Sequence, residues 1–248
     1  MFEIIKSSKE YKYICDETIQ RVINAAIPKY KTEKLALKSV KSTLREISAA
    51  FLSDADIKKA NANISDTAYV LTLHQSTRER THHFKQMIED IKQATGFKSV
   101  FDIGCGFQPF SIPFVEVLRG VEYYGMDIHE GIIQLVNNLF NSLSIKGGAF
   151  TGDILVKTPE IEVDCVFMFK LLPLLERMEK GGARRVLNEL NFRYAAISFP
   201  TKTLSGKNVG MKDTYNAFVR NELGEFPVIM DEEYRNEILY VLVNPKRV

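Results

Sequence analysis

Residues 99–106 read SVFDIGCG, and this stretch decides the fold class of the chain. Its apolar first half is typical of a buried strand. Gly104 and Gly106 follow two positions apart, which predicts a turn so tight that a residue with a side chain does not fit. A ligand can lie against the bare backbone of such a turn. The stretch therefore predicts a binding site at the end of a strand.

A second predicted strand, residues 121–127 (VEYYGMD), ends in Asp127, which lies 21 residues after Gly106. An acid at this place can accept hydrogen bonds from the two hydroxyls of a ribose. Because ligands of parallel α/β sheets bind at the carboxyl ends of the strands, the two stretches together predict a site for a cofactor that contains a nucleoside.

The turn also indicates which nucleoside cofactor fits. A dinucleotide fingerprint needs a third glycine where this chain has Pro109, and the phosphate-binding loop motif is absent near any predicted strand. Asp102 would repel a phosphate but suits a cation. S-adenosylmethionine carries a sulfonium and an ammonium group and no phosphate, so it is the predicted cofactor. The alternative is a structural glycine turn in an unrelated α/β protein.

Composition sets broad limits. The 248 residues carry a formal net charge of only +2, so any binding to nucleic acid must depend on local patches. Cys15, Cys105 and Cys165 have neither disulfide nor metal-site spacing, which is typical of a reducing cytoplasm. The sequence has no apolar run of membrane-spanning length and no signal-peptide pattern, which predicts a cytoplasmic protein without membrane contacts. His82 and His83 are adjacent and point in different directions on a helix, so no metal site is expected.

Two patterns divide the chain into residues 1–95 and 96–248. The first segment has helical periodicity, which predicts a small all-helical N-terminal subdomain. In the second, apolar runs alternate with helical patterns, which predicts an α/β domain with a doubly wound, seven-stranded sheet and an antiparallel hairpin at one edge. The predicted strands are 98–103, 121–127, 147–151, 163–169, 193–199, 226–231 and 237–243. The predicted helices of this domain are 111–119, 129–143, 171–190 and 210–223.

The first segment contains a strongly basic stretch. Apolar stripes predict one amphipathic helix that ends near Pro28 and a second over residues 37–51, followed by a short helix capped by Ser53 and Asp54. Residues 29–45 hold six basic residues and one acid, and several of the basic residues share one side of the second helix. Such a face is either a solvated surface or a site for phosphates. The predicted RNA-docking residues of this face are Lys29, Lys31, Lys34, Lys38, Lys41 and Arg45.

Four blocks in this order make a more specific pattern: HQSTRER at 74–80, DIGCGFQP at 102–109, KLLPLLE at 170–176, and SFPTKTLSGK at 198–207 followed by Gly210 and Met211. They resemble the aminoglycoside-resistance 16S rRNA methyltransferases that modify N7 of guanine 1405 in the decoding centre. The first and last blocks are far more specific than a glycine turn. The chain departs from the family at Gln108, at Val209 and after Arg80, where residues 81–83 are THH.

The resemblance implies a Rossmann-like methyltransferase domain, S-adenosylmethionine as methyl donor, and the small (30S) ribosomal subunit as substrate; we expect a monomer. Arg78 is expected to hold the methionine carboxylate, because a guanidinium makes a bidentate pair. Asp102 and Gly104 are expected at the amino-acid end, Asp127 at the ribose, and Asp153 at the adenine amino group. The full set of predicted cofactor-binding residues is His74, Ser76, Arg78, Asp102, Gly104, Gly106, Asp127, Ile128, Asp153 and Ile154.

Methylation of guanine N7 needs no general base, because this nitrogen has a free lone pair at neutral pH. Catalysis is expected from alignment of the methyl group with N7 and from exclusion of water. The target base must leave its stack, and Phe199 or Phe107 is predicted to stack on it, with Met211 packed on the target nucleotide. Lys170, Lys202 and Lys207 are predicted either to pair with phosphates of the RNA or to hold the base in place.

Three other functions are compatible with parts of the pattern. An adenine-N1 methyltransferase of the same rRNA region would use the same cofactor site. A non-catalytic RNA-binding assembly factor would keep the fold without binding the cofactor. A small-molecule methyltransferase would not need the basic face of residues 29–45.

Overall fold

The structure is a computed structural model, and it describes residues 1–49, 54–201 and 211–247. Seven strands form one sheet in the order β3-β2-β1-β4-β5-β7-β6. The strands are β1 (Ser99–Ile103), β2 (Glu122–Asp127), β3 (Gly147–Thr151), β4 (Glu162–Phe169), β5 (Asn191–Pro200), β6 (Val228–Tyr234) and β7 (Glu237–Val243). This is the doubly wound, seven-stranded sheet that the sequence predicts.

The strand directions locate the binding edge of the sheet. β1 to β5 pair in parallel, whereas β7 runs antiparallel to both β5 and β6. β2 and β3 lie on one side of β1, and β4 and β5 lie on the other. A crevice opens at the carboxyl ends of the strands where the order reverses, here between β1 and β4.

Eleven α-helices are present in the described residues. They are α1 (Phe2–Lys6), α2 (Asp16–Ala26), α3 (Glu33–Leu44), α4 (Asp54–Ala62), α5 (Thr67–Leu73), α6 (Gln75–Arg80), α7 (Phe84–Thr95), α8 (Glu130–Leu143), α9 (Leu172–Met178), α10 (Gly182–Glu189) and α11 (Met211–Glu222). Short 3₁₀-helices lie at Ile27–Lys29, Gln108–Phe114 and Glu116–Leu118, and a π-helical turn at Arg45–Ala49 follows α3.

Both faces of the sheet are covered, because its central strands carry apolar side chains in both directions. On β1, Val100 packs into the core that α7 and α8 cover, and Phe101 packs into the core that α9, α10 and α11 cover. A third cluster joins α1, α2 and α3 around Tyr11, Ile19 and Val40, each fully buried. The apolar stripes predicted for the first segment therefore form a core of their own.

Two predicted helices differ from the structure. The stretch 111–119 forms two 3₁₀-helices, because Pro109 and Pro113 remove backbone donors that an α-helix needs. The single helix predicted over 171–190 is two helices, α9 and α10, separated at Gly181 with φ +77°. A backbone with positive φ ends a helix, and glycine adopts it without strain.

Two residues used in the helix predictions lie in a part of the chain that the structure does not describe. Ser53, predicted as a cap, and Phe51, predicted on the apolar stripe of the second helix, lie outside the described residues. Across the described ranges, none of the helices has the length and apolar character that crossing a bilayer requires.

Candidate active site

A cavity of about 870 Å³ opens at the carboxyl ends of the central parallel strands. Its floor comes from the residues that follow β1 and β2, and its sides come from the residues that follow β3 and β4. Helix α6 and the N-terminal residues 21 and 46–48 complete the wall. The volume is in the range of sites for cofactors and other small molecules.

The glycine turn after β1 forms the cavity floor as predicted from the sequence. Gly104 has φ +69° and Gly106 has φ +50°, which is the left-handed region. A Cβ atom on Gly106 would lie 3.1 Å from the His74 ring, and one on Gly104 would lie 3.3 Å from Leu171. Side chains at these two positions would be strained and would also fill the floor, which explains why glycine is needed here.

Asp127 lies at the end of β2 with both carboxylate oxygens oriented by backbone donors. The Gly106 amide donates to Oδ2 at 3.0 Å, and the His129 amide donates to Oδ1 at 3.0 Å. Burial raises the pKa of Asp127 to about 6, although these backbone hydrogen bonds favour the ionised form. Each oxygen keeps a lone pair, so the half-buried side chain can accept hydrogen bonds from two neighbouring hydroxyls.

Asp153 follows β3 and lines the cavity, but its side chain is already engaged. Its Oδ2 accepts hydrogen bonds from Thr18 Oγ1 and from Arg21 Nε, both at 2.8 Å. Its Oδ1 accepts from the Leu155 amide at 3.0 Å. Both Thr18 and Arg21 belong to α2, so the N-terminal segment reaches the rim of the cavity. Sequence reasoning did not identify these two residues.

The apolar and helical parts of the predicted site also line the cavity. Ile128 and Ile154 lie on its wall beside Asp127 and Asp153, as do His74 and Ser76 at the start of α6. Burial lowers the pKa of His74 to about 4, so this imidazole is neutral at physiological pH. The His74 ring meets Phe107 edge to face, with centroids 6.2 Å apart.

Two predicted contacts with the amino-acid end of the cofactor are absent from the cavity wall within the described residues. Asp102 is 2% exposed and faces away from the cavity, where its Oδ2 accepts from the Tyr123 hydroxyl at 2.7 Å. Burial raises the pKa of Asp102 to about 7. Arg78 is exposed, and its guanidinium donates to the Thr72 carbonyl at 3.3 Å. Asp102 therefore joins β1 to β2 through Tyr123, and in this conformation neither Asp102 nor Arg78 lines the cavity.

Lys170 lies on the cavity wall directly after β4 and has φ +58°, an unusual backbone for a residue with a side chain. Its amide donates to the Ser198 carbonyl at 3.0 Å, which holds this conformation. Its ammonium group lies 3.2 Å from Glu79 and 3.7 Å from Glu237. The ammonium group of Lys170 thus contacts two acids in this conformation, and its role toward the target base or the RNA phosphates stays a prediction.

A buried ion cluster, defined here as Arg80, Glu237 and Lys170, lies behind this wall. The Arg80 guanidinium donates through Nε and Nη2 to Glu237 at 2.9 Å, with side chains 3% and 0% exposed. Arg80 also donates to the Gln108 side chain at 2.7 Å. Burial alone would raise the pKa of Glu237, but Arg80 and its neighbours hold that pKa well below its usual range. The cluster connects α6 to β4 and β7.

The structure corrects the prediction for Phe199. This ring is 1% exposed and lies in the core against α11, stacked on Tyr215 with centroids 4.4 Å apart. It cannot reach a base in the cavity. Tyr215 and Met211, both on α11, line the cavity instead. The alternation of strand β5 explains the error, because successive side chains point to opposite faces of a sheet.

The basic residues of the N-terminal segment lie mostly at the surface. Five lysines define the lysine face: Lys29, Lys31, Lys34, Lys38 and Lys41, of which only Lys41 is half-buried. In the part of the chain that the structure describes, no acid lies within salt-bridge distance of these five. Arg45 differs, since its guanidinium pairs with Glu10 at 3.2 Å. The predicted phosphate partners Lys202 and Lys207 lie outside the described residues.

Glu237 is a buried, ion-paired acid behind the cavity wall that the sequence analysis does not predict. It opens a strand that is otherwise apolar, EILYVLV, and this single acid was the available signal. Nothing in the sequence pairs it with Arg80, because the two residues are 157 positions apart. Thr18 and Arg21 are one helical turn apart on α2, a spacing that is common on any helix surface.

The comparisons with known proteins agree with this geometry. Residues 7–232 match the family model described as ribosomal RNA methyltransferase (FmrO). A 16S rRNA (guanine(1405)-N(7))-methyltransferase of Serratia marcescens is 30% identical over 242 residues, which covers 96% of this chain and 95% of that protein. The protein of the same name from Proteus mirabilis is 29% identical, covering 96% of this chain and 94% of that one.

Solved structures with the same fold include two 16S rRNA methyltransferases. The structure of RmtF in complex with S-adenosyl-L-homocysteine superposes with a TM-score of 0.90 at 30% identity, covering 98% of this chain and 96% of that one. The structure of RmtB superposes with a TM-score of 0.87 at 27% identity, again covering 98% and 96% of the two chains.

Proposed function

Because this chain belongs to the FmrO family of ribosomal RNA methyltransferases, we propose that it transfers a methyl group from S-adenosylmethionine to N7 of guanine 1405 in 16S rRNA, and so confers resistance to aminoglycosides. One structural observation supports this proposal most directly. The family match coincides with a cavity at the switch point of the sheet, where a glycine floor faces an oriented carboxylate, Asp127. The enzyme is a methyltransferase that uses S-adenosylmethionine.

The residues of the cavity fit this cofactor. In this proposal Asp127, oriented by the His129 amide, accepts from the ribose hydroxyls, and Asp153, oriented by the Leu155 amide, accepts from the adenine amino group. Ile128 and Ile154 offer apolar surface to the adenine ring. When bound, S-adenosylmethionine supplies a methyl group on a positively charged sulfur, which a nitrogen lone pair can attack. The glycine floor lets the backbone approach such a ligand without steric conflict.

The protein has to position two reactants and exclude water. Attack by N7 forms a carbon–nitrogen bond as the carbon–sulfur bond breaks, and the positive charge passes to the guanine, so no proton moves. Holding reacting atoms in line can supply about 7–11 kcal/mol of the barrier reduction. Met211 and Tyr215 on α11 and Lys170 after β4 line the same cavity and are the proposed boundary of the target base.

We assign docking of the RNA to the lysine face. Its five lysines belong to the helical segment before β1, and none lies within salt-bridge distance of an acid among the described residues, although Lys41 is near enough to Glu10 to help lower the pKa of that acid. Cations without internal partners are available to phosphates, and such contacts read the shape of a folded RNA rather than its base sequence. The substrate proposed for this chain is the assembled small ribosomal subunit. The protein is proposed to act as a monomer in the cytoplasm. Residues 1–95 are the proposed docking unit, and residues 96–248 are the proposed catalytic domain.

The test is methylation of purified small subunits with labelled S-adenosylmethionine, followed by mapping of the modified base. We expect label at N7 of guanine 1405 for the natural protein. Asp127→Asn should lose most of this activity, because an amide replaces one of its two acceptor oxygens with a donor. Asp231→Asn is the matched control: this acid is exposed on β6 and should retain full activity.

Each alternative has its own outcome in this test. Label on an adenine would overturn the proposed target and support an adenine-N1 enzyme. Binding to the subunit without any label would support a non-catalytic assembly factor. The resistance profile of cells that express the protein provides an independent check, because the two methylated bases protect against different sets of aminoglycosides.

A further inference from the structure

The adenine end of the cavity is built partly by the N-terminal segment, which the sequence assigns only to RNA docking. Helix α2 places Arg21 against Asp153: the guanidinium Nε and Nη2 each lie 2.8 Å from Oδ2. Thr18, one turn earlier, donates to the same oxygen at 2.8 Å. The Asp153 side chain is 4% exposed and that of Arg21 is 21% exposed, so the pair is largely protected from solvent.

The chain just before α2 fixes the opposite wall. The Cys15 amide donates to the Ile128 carbonyl at 2.9 Å, and the Glu130 amide donates to the Tyr13 carbonyl at 2.8 Å. Ile128 lines the cavity on the β2 side and Asp153 lines it on the β3 side. The N-terminal segment thus contacts both loops that border the adenine position.

The hydrogen bonds on Asp153 divide its two oxygens between two tasks. Oδ2 accepts a hydrogen bond from Thr18 Oγ1 and contacts Nε and Nη2 of Arg21. Oδ1 receives the Leu155 amide, and a carboxylate oxygen has a second lone pair for another donor. Without a cation beside it, a carboxylate this deeply buried would be costly to keep, and Arg21 supplies that cation.

We propose that Arg21, assisted by Thr18, is a positioning residue for cofactor recognition: it holds Asp153 so that Oδ1 accepts a hydrogen bond from the 6-amino group of adenine. The N-terminal segment then contributes to the choice of cofactor as well as to docking. This inference rests on the proposed function, because it takes the ligand of the cavity to be S-adenosylmethionine. It assigns to Arg21, a residue of the cavity wall, an effect on the ligand that acts through Asp153.

The experiment compares two ligands that differ at one position of the base. S-adenosylhomocysteine carries the 6-amino donor, whereas S-inosylhomocysteine carries a carbonyl oxygen there, which a carboxylate repels. Calorimetry on the natural protein should show the adenosyl ligand bound about 10- to 100-fold more tightly, the range for a hydrogen bond to a charged group. Arg21→Met should reduce this preference to less than about threefold, mainly by weakening the adenosyl ligand.

Further variants separate positioning from general damage. Arg21→Lys keeps a charge near Asp153 and should recover part of the preference, and Thr18→Val should lose part of it. Arg119→Met is the matched control, because Arg119 forms an exposed ion pair with Glu116 at 3.8 Å, and it should leave the preference unchanged. Thermal unfolding of each variant establishes that it folds.

The outcomes discriminate between the inference and its premise. An unchanged preference in folded Arg21→Met would overturn the inference, and so would an equal loss of affinity for both ligands. If the natural protein binds neither ligand, the proposed function itself fails. If it binds S-adenosylhomocysteine and methylates the subunit, but Arg21→Met behaves like the natural protein, the function stands and only the role of Arg21 is wrong.

Discussion

The lysine face and the buried ion cluster are two sets of charges with opposite surroundings. Four of the five lysines before and along α3 are exposed and Lys41 is half-buried, with no acid at salt-bridge distance among the described residues. In the buried cluster, Arg80 and Lys170 both pair with Glu237, and Lys170 also pairs with Glu79. This comparison shows that a basic side chain is available to an external ligand only where the fold leaves that side chain without an acid at salt-bridge distance. Residue type alone does not tell the two sets apart.

The largest effect is expected from breaking the buried cluster. Arg80→Met leaves Glu237 as a buried charge with one cation fewer, and this should lower the free energy of unfolding by about 3–5 kcal/mol. Urea titration at neutral pH measures it. Arg78→Met, two residues away but exposed, should change stability by less than about 0.5 kcal/mol. The double variant Arg80→Met with Glu237→Gln should regain part of the loss. Equal effects of Arg78 and Arg80 would contradict the distinction between exposed and buried charges.

A smaller change in free energy, but a large change in salt dependence, is expected at the lysine face. Replacing Lys34, Lys38 and Lys41 together by Gln should leave the unfolding free energy almost unchanged, because none of the three lies within salt-bridge distance of an acid among the described residues. The slope of log affinity for the small subunit against log salt should fall by about 2–3, since each lost phosphate contact contributes about 0.7–0.9.

The control for the lysine face is a triple variant of exposed lysines elsewhere, Lys85, Lys146 and Lys157, each replaced by Gln. It removes the same charge and should leave the slope within experimental error of the natural protein. If both triple variants weaken binding alike, the effect is one of overall charge, and the docking role of the lysine face is refuted.

The smallest effect is expected from the titration of Asp127, a half-buried acid that is held by backbone amides rather than by a cation. Its pKa is raised by burial to about 6, whereas that of Glu237 is lowered because Arg80 contacts it. The ionised form accepts from the ribose, so affinity for S-adenosylhomocysteine should increase as the pH rises through 6. Between pH 5 and pH 7 the increase should be about tenfold if protonation of this one group governs binding.

Calorimetry across this pH range measures the dependence, with Asp127→Asn as the non-titrating variant. That variant should bind more weakly at pH 7 and show a nearly flat profile between pH 5 and 7. A pH dependence that survives in Asp127→Asn would have to come from another group, and the natural candidate is Asp102, whose pKa burial raises to about 7.

The parts of the site that follow from local chemistry were predictable. The glycine turn, the acid after β2 and the acid after β3 each follow a strand directly, so their place at one edge of the sheet is a consequence of parallel strand order. The same holds for Ile128 and Ile154, each adjacent to its acid. The role of Phe199 was not predictable in this way, because a shift of one residue along a strand decides between the core and the cavity.

The alternation of strands and helices, the glycine floor and the basic stretch before the sheet can be read from the amino-acid order, because each depends on neighbours within a few positions along the chain. Which charges are paired inside the protein depends instead on contacts between distant parts of the chain. Arg80 meets Glu237 across 157 positions, and Arg21 meets Asp153 across 132. Folding removes both charges of such a pair from water, which costs free energy, and the attraction between them offsets that cost. Which two residues meet is set by packing and not by any local sequence pattern.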